Sequence, residues 1–73
     1  MNLENCITQA RRHWKEFQPT RYEALLKAGI LESELKDAAE RTHYEMSMFE
    51  RNGFTTHEAW ERVREEYLFP PPE

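Results

Sequence analysis

Cysteine is nearly missing from this chain of 73 residues. Cys6 stands alone, so no internal disulfide can staple the fold, and a reducing compartment fits best. Long apolar runs are missing too. No stretch approaches the roughly 18 to 20 apolar residues that cross a bilayer, and the first residues lack the apolar segment of a secretory leader. The expectation is a cytoplasmic protein with no membrane partner. Glycine occurs twice and proline four times, which leaves no flexible linker and no glycine-rich phosphate loop. Apolar and polar residues nowhere alternate with period two, so no strand is expected. Leu, Ile, Val and Phe total 13 of 73 residues, under the roughly one-fifth level below which charged chains tend to stay unfolded. Two Trp, three Tyr and three Met add usable apolar material. The expectation is a folded but lean domain, whose core a partner or a second copy could complete.

The net charge of −4 is unevenly spread. Residues 1–36 carry six Lys/Arg against five Asp/Glu, and residues 37–73 carry four against nine. An acidic second half repels phosphate backbones, so nucleic acid is not the expected partner. Against this stands one basic cluster, Arg11, Arg12, Lys15 and Arg21, which defines an alternative reading as a nucleic-acid-associated regulator. The competing intramolecular reading lays this basic helix against the acidic fourth helix.

Helical periodicity fills the rest. Leu3, Ile7, Ala10, Trp14 and Phe17 step by four and three, which predicts a first helix capped by Asn2 or Asn5 and ended by Gln18-Pro19. A second helix is expected from Pro19 to about Ala28, burying Tyr22, Leu25 and Leu26, with Gly29 closing it and Ile30 folding back. The third and longest starts near Leu31 and carries Leu35, Ala39, Thr42, Met46 and Phe49 on one stripe, flanked by Leu31 and Ala38, up to Asn52-Gly53-Phe54. Thr55 and Glu58 have capping-box spacing and open a fourth helix with Trp60, Val63 and Tyr67 on its apolar face. The predicted fold is all-α: a compact bundle of four short helices over residues 1–69, with an extended proline-rich C-terminal arm at 70–73. Trp14, Phe17, Leu25, Leu35, Met46 and Trp60 are expected in one shared core.

The arm Leu68-Phe69-Pro70-Pro71-Pro72-Glu73 is the chain's most distinctive segment. Three prolines cannot continue a helix and set an extended, polyproline-like path. Two readings follow. Either Leu68 and Phe69 cover the open end of the bundle, or the arm is offered to a partner, with Trp60, Tyr67, Leu68, Phe69, Pro70 and Pro71 as the contact residues.

No chemical constellation stands out. His57 and Glu61 lie one turn apart but lack an HExxH pattern or a cysteine pair, so neither metal nor cofactor is expected. Cys6 could act as a nucleophile only beside a base supplied by the fold, and its setting suits a small half-buried apolar residue. Acid pairs such as Glu61 with Glu65 occur on any solvated helix face. A pocket of about 300 Å³ or more is not expected in so small a bundle. Helix-turn-helix order is present around Gly29, but the would-be recognition helix opens with Glu32, Glu34, Asp37 and Glu40, the wrong sign for a major groove.

The order Trp14, Phe17, Pro19, Tyr22, Leu25, Gly29, Leu31, Ala38, Ala39, Thr42, Met46, Gly53, then Glu58-Ala59-Trp60-Glu61, Arg64-Glu65 and Pro-Pro-Glu resembles a group of short helical proteins of unknown function encoded in bacteria, phages, prophages and plasmids. The resemblance spans nearly the whole chain and implies a bacterial or mobile-element setting, with no catalytic residues attached. The resulting expectation is a small non-catalytic module that binds a protein partner, such as an inhibitor or adaptor of a host protein.

Overall fold

Each helix begins and ends where a local group can satisfy it. The computed structural model describes residues 2–73, so residue 1, the expected start of the domain, lies outside the described residues. Helix α1 spans Leu3–Phe17. Its cap is Asn2 rather than Asn5, because the Asn2 carboxamide oxygen accepts from the Asn5 N–H at 2.8 Å. Helix α2 spans Pro19–Lys27, with proline in the first turn and no side-chain cap from Gln18. Helix α3 spans Leu31–Arg51, and helix α4 spans Thr56–Tyr67.

The two glycines close α2 and α3 in the same way. Gly29 at φ 75° and Gly53 at φ 93° take the left-handed conformation that glycine adopts without a side-chain clash. The next residue then reaches back: Ile30 N–H donates to Leu25 O at 3.1 Å, and Phe54 N–H to Phe49 O at 3.2 Å. These are the six-residue closures of a Schellman motif. At α4 both halves of the capping box are made, with Glu58 N–H donating to Thr55 Oγ1 at 3.2 Å and Thr55 N–H to Glu58 Oε1 at 2.9 Å.

At 21 residues, α3 is about 30 Å long and is the element around which the others assemble. Helices α1 and α4 pack on it, α2 packs on α1 and α3, and α1 and α4 share no direct helix packing among the described residues. All described regular structure is helical.

The core departs from the single cluster expected from sequence. One group joins Cys6, Ala10 and Trp14 of α1 to Leu31, Leu35, Ala38 and Ala39 of α3 and to Leu68. A second joins Met46 to Ala59 and Val63 at the far end of the α3–α4 hairpin. Trp60 and Tyr67 are half-buried and pack on both groups. Phe17 is 38% exposed and lies outside either one. The division arises because α3 is longer than α1 and outruns it. Two other expected core positions also face water: Leu26 at 52% and Leu3 at 37% exposure. Helix α2 has no fully buried residue, and its inward contacts come from Tyr22 and Leu25.

Candidate interaction surface

The arm folds back, and it does so by satisfying helix ends. Helix α1 ends with unpaired carbonyls and α2 begins with unpaired N–H groups, separated only by Gln18. Glu73 meets both sets. Its N–H donates to Phe17 O at 3.0 Å, while its carboxylate accepts from Arg21 N–H at 3.0 Å and Thr20 N–H at 3.3 Å. It acts as a remote N-cap for α2, and those N–H groups hold its carboxyl below the usual glutamate range.

Between Leu68 and Glu73 the arm is held by its carbonyls. The buried Trp14 indole N–H donates to Leu68 O at 3.0 Å, His13 Nε2 donates to Pro70 O at 2.7 Å, and Gln18 Nε2 donates to Pro71 O at 3.0 Å. Prolines 70–72 have no N–H to leave unsatisfied.

The outer side of this strap is aromatic. Trp60 meets Phe69 edge-on with centroids 5.9 Å apart, Phe69 lies 5.2 Å from the His13 ring, and His13 lies 4.7 Å from Phe17. These rings bridge α4 to α1, which do not pack directly. Flanking the ridge are a hollow of about 210 Å³ lined by Arg12, Glu16, Phe17 and Phe69 among others, and one of about 480 Å³ lined by His13, Glu65, Phe69 and Pro70 to Pro72. On the other side of Pro70 a groove of about 330 Å³ has Trp14, Ala38 and Tyr67 among its walls and Arg21, Arg41, Glu34 and Glu66 around it. The expectation of no hollow above about 300 Å³ is therefore corrected, because the arm crosses gaps between helices and leaves space on either side.

Of the six contact residues named from sequence, Leu68 is fully buried in the chain's own core. That is a correction: its side chain faces Trp14 and Leu35 in the same cluster, leaving nothing for a partner to touch. Trp60, Tyr67, Phe69 and Pro70 are half-buried and Pro71 is exposed. The Tyr67 hydroxyl donates to Glu45 of α3, which raises the Tyr67 pKa and pins α4 to α3. Phe17, His13 and Pro72 complete the surface. Sequence reasoning assigned Phe17 to the core by its periodicity, and only the path of the arm shows it to be outside.

The basic cluster does not form one open face. Arg11 makes a two-pronged contact with Glu32 at the start of α3, which raises the Arg11 pKa and lowers that of Glu32. Its partner is thus α3, correcting the pairing of the basic helix with α4. Arg21 stacks its guanidinium 4.2 Å from the Trp14 ring centroid and donates to Gln18 Oε1 at 3.2 Å. Arg12 and Lys15 remain exposed.

The fold does bring a base to Cys6: His43 Nε2 lies 3.7 Å from Sγ. Sequence gave no sign of it, since the two residues are 37 positions apart. Cys6 is fully buried, burial pushes its thiol pKa up, and a protonated, enclosed thiol is a poor nucleophile. His57 and Glu61 approach to 3.5 Å, with the His57 side chain 80% exposed. Among the described residues no three metal-ligating side chains converge, and no helix is long and apolar enough to cross a membrane.

No known protein family matches this chain, and no curated protein or solved structure is significantly similar to it.

Proposed function

We propose that this protein is a small non-catalytic module that binds a protein partner on the aromatic–proline ridge of Phe17, Phe69, Pro71 and Pro72, with Trp60 at its edge. One observation carries this reading. The arm is held along its length by hydrogen bonds from α1 and α2, so its proline rings and neighbouring aromatics are presented in a fixed array. Such an array loses little conformational entropy on docking. Aromatic side chains between shallow hollows are also the residue types that anchor protein interfaces. In the bacterial or mobile-element setting that the sequence resemblance implies, the role is that of an inhibitor or adaptor of a host protein.

The test is affinity capture from a bacterial lysate, followed by titration of the captured protein against wild type, Phe17→Glu and Pro72→Glu. Both positions are exposed, so the expected result is retained helix content with affinity at least about tenfold weaker, as for loss of interface anchors. Full affinity in both variants would remove the ridge from the interface.

A further inference from the structure

We infer that the floor beneath the arm, formed by His13, Trp14, Gln18 and the first N–H groups of α2, is a reader of extended proline-rich segments followed by a carboxylate, with the chain's own arm as its resident occupant. This goes beyond the ridge reading, because it concerns the inner side of the arm rather than its outer face.

Complementarity of hydrogen-bonding groups supports the assignment. Along residues 68–71 the floor offers donors only: the Trp14 indole, the His13 ring and the Gln18 carboxamide, each spent on a main-chain carbonyl. A polyproline segment offers the matching set, since its carbonyls are available and its nitrogens carry no hydrogen. Recognition through the main chain does not depend on which side chains the segment bears. At the end of the track the chemistry changes. Thr20 and Arg21 present N–H groups at the positive end of α2, and Phe17 O presents an acceptor, so the residue seated there must bring both a carboxylate and an N–H. Glutamate after three prolines meets both demands.

Part of the floor is held by contacts outside the arm. Trp14 packs in the main core with residues of α1 and α3 as well as with Leu68, and Gln18 and the α2 terminus belong to the α1–α2 corner, where Tyr22 N–H donates to Gln18 O at 2.9 Å. A tethered arm competes at an effective concentration in the millimolar range typical of short linkers. An external segment therefore binds well only when the arm is loosened.

The test uses full-length protein and a fluorescein-labelled synthetic peptide of sequence LFPPPE with an amidated end. Two variants loosen the arm: one carries Pro70→Gly, Pro71→Gly and Pro72→Gly together, and the other carries Glu73→Lys alone. The expected result is saturable binding to either folded variant at least about tenfold tighter than to wild type. A shift of the Trp14 indole N–H resonance should accompany it, and affinity should fall when the peptide's glutamate is replaced by lysine. Equal binding of the glutamate and lysine peptides, or no saturable binding to a variant that retains wild-type helix content, overturns the inference. Should both variants lose their helices, millimolar peptide added to wild type decides: an unmoved Trp14 resonance overturns it equally. Pro72→Glu added to the Glu73→Lys variant separates the two readings, since it alters the outer ridge, leaves every residue of the floor in place and should leave peptide binding intact.

Discussion

Glu73 shows how one side chain can join distant parts of a chain. Its carboxylate is stabilised as an anion by the α2 N–H groups, so its folded pKa lies below its unfolded value. A depressed carboxylate pKa adds stability that is fully present above the unfolded pKa and is lost as the pH falls through the folded one. Glu73→Gln should therefore melt below wild type at about pH 7. The difference between the two midpoints should shrink as the pH falls below the ordinary glutamate range, as thermal melts at successively lower pH will show. A constant difference would mean that the charge is not what caps α2. Glu32 beside Arg11 and Glu58 at the α4 cap are shifted the same way, so acid should also loosen the α1–α3 contact and the start of α4. At the core, Leu35 is fully buried, and Leu35→Ala should cost about 2–5 kcal/mol, measurable by urea unfolding. Trp60 is only half-buried, so Trp60→Ala should fall below the roughly 3–5 kcal/mol of a fully buried Trp.

The arm behaves as a structural element although it has no regular secondary structure. Leu68 places a fully buried side chain between α1 and α3, and Phe69 joins the ring contacts that link α4 to α1. Deleting residues 68–73 should remove about 1.5–3 kcal/mol for Leu68 alone. For a domain of this size each kcal/mol corresponds to about 4–8 °C in the melting midpoint, so the truncated protein should melt visibly lower. An unchanged midpoint would show that the arm adds nothing to the fold. At the other end of α4, the capping box satisfies two backbone donors that helix geometry leaves free. Thr55→Ala should cost about 0.5–2 kcal/mol in the same unfolding assay.

For the whole molecule, α3 is the shared wall of both core groups, and Trp60 and Tyr67 overlap them. The chain should therefore unfold as one unit. Leu35→Ala in the first group and Val63→Ala in the second should each shift a single transition, with circular dichroism and tryptophan fluorescence coincident. Two separated transitions would show the α3–α4 end opening independently. Charge at this scale also bears on nucleic acid: the second half is acidic, and two of the four clustered cations are occupied by Glu32 and by Trp14. No submicromolar affinity for mixed-sequence duplex is expected at physiological salt. An anisotropy titration showing such affinity, steeply salt-dependent and lost in an Arg11/Arg12/Lys15 triple alanine variant, would restore the nucleic-acid reading.

Helix number, helix limits and closing turns were legible in the sequence because each rests on interactions within a few residues. Asn2, the Gln18-Pro19 break, Gly29, Gly53 and the Thr55–Glu58 pair fix their local backbone whatever surrounds them. Four-and-three spacing told which face of α1 and α3 turns inward, but not how far along each helix cover extends. Phe17 and Leu3 kept the right periodicity and still emerged exposed, since each sits at an end of α1, and at Phe17 the arm lies alongside without enclosing the ring. Tertiary structure alone decided the contacts between remote residues: Arg11 with Glu32, Cys6 with His43, and above all Glu73 at the start of α2. Three prolines and a glutamate specify a stiff acidic strap. Where that strap lies depends on the free hydrogen-bonding groups left at the α1–α2 corner, and those exist in one place only after the helices have packed.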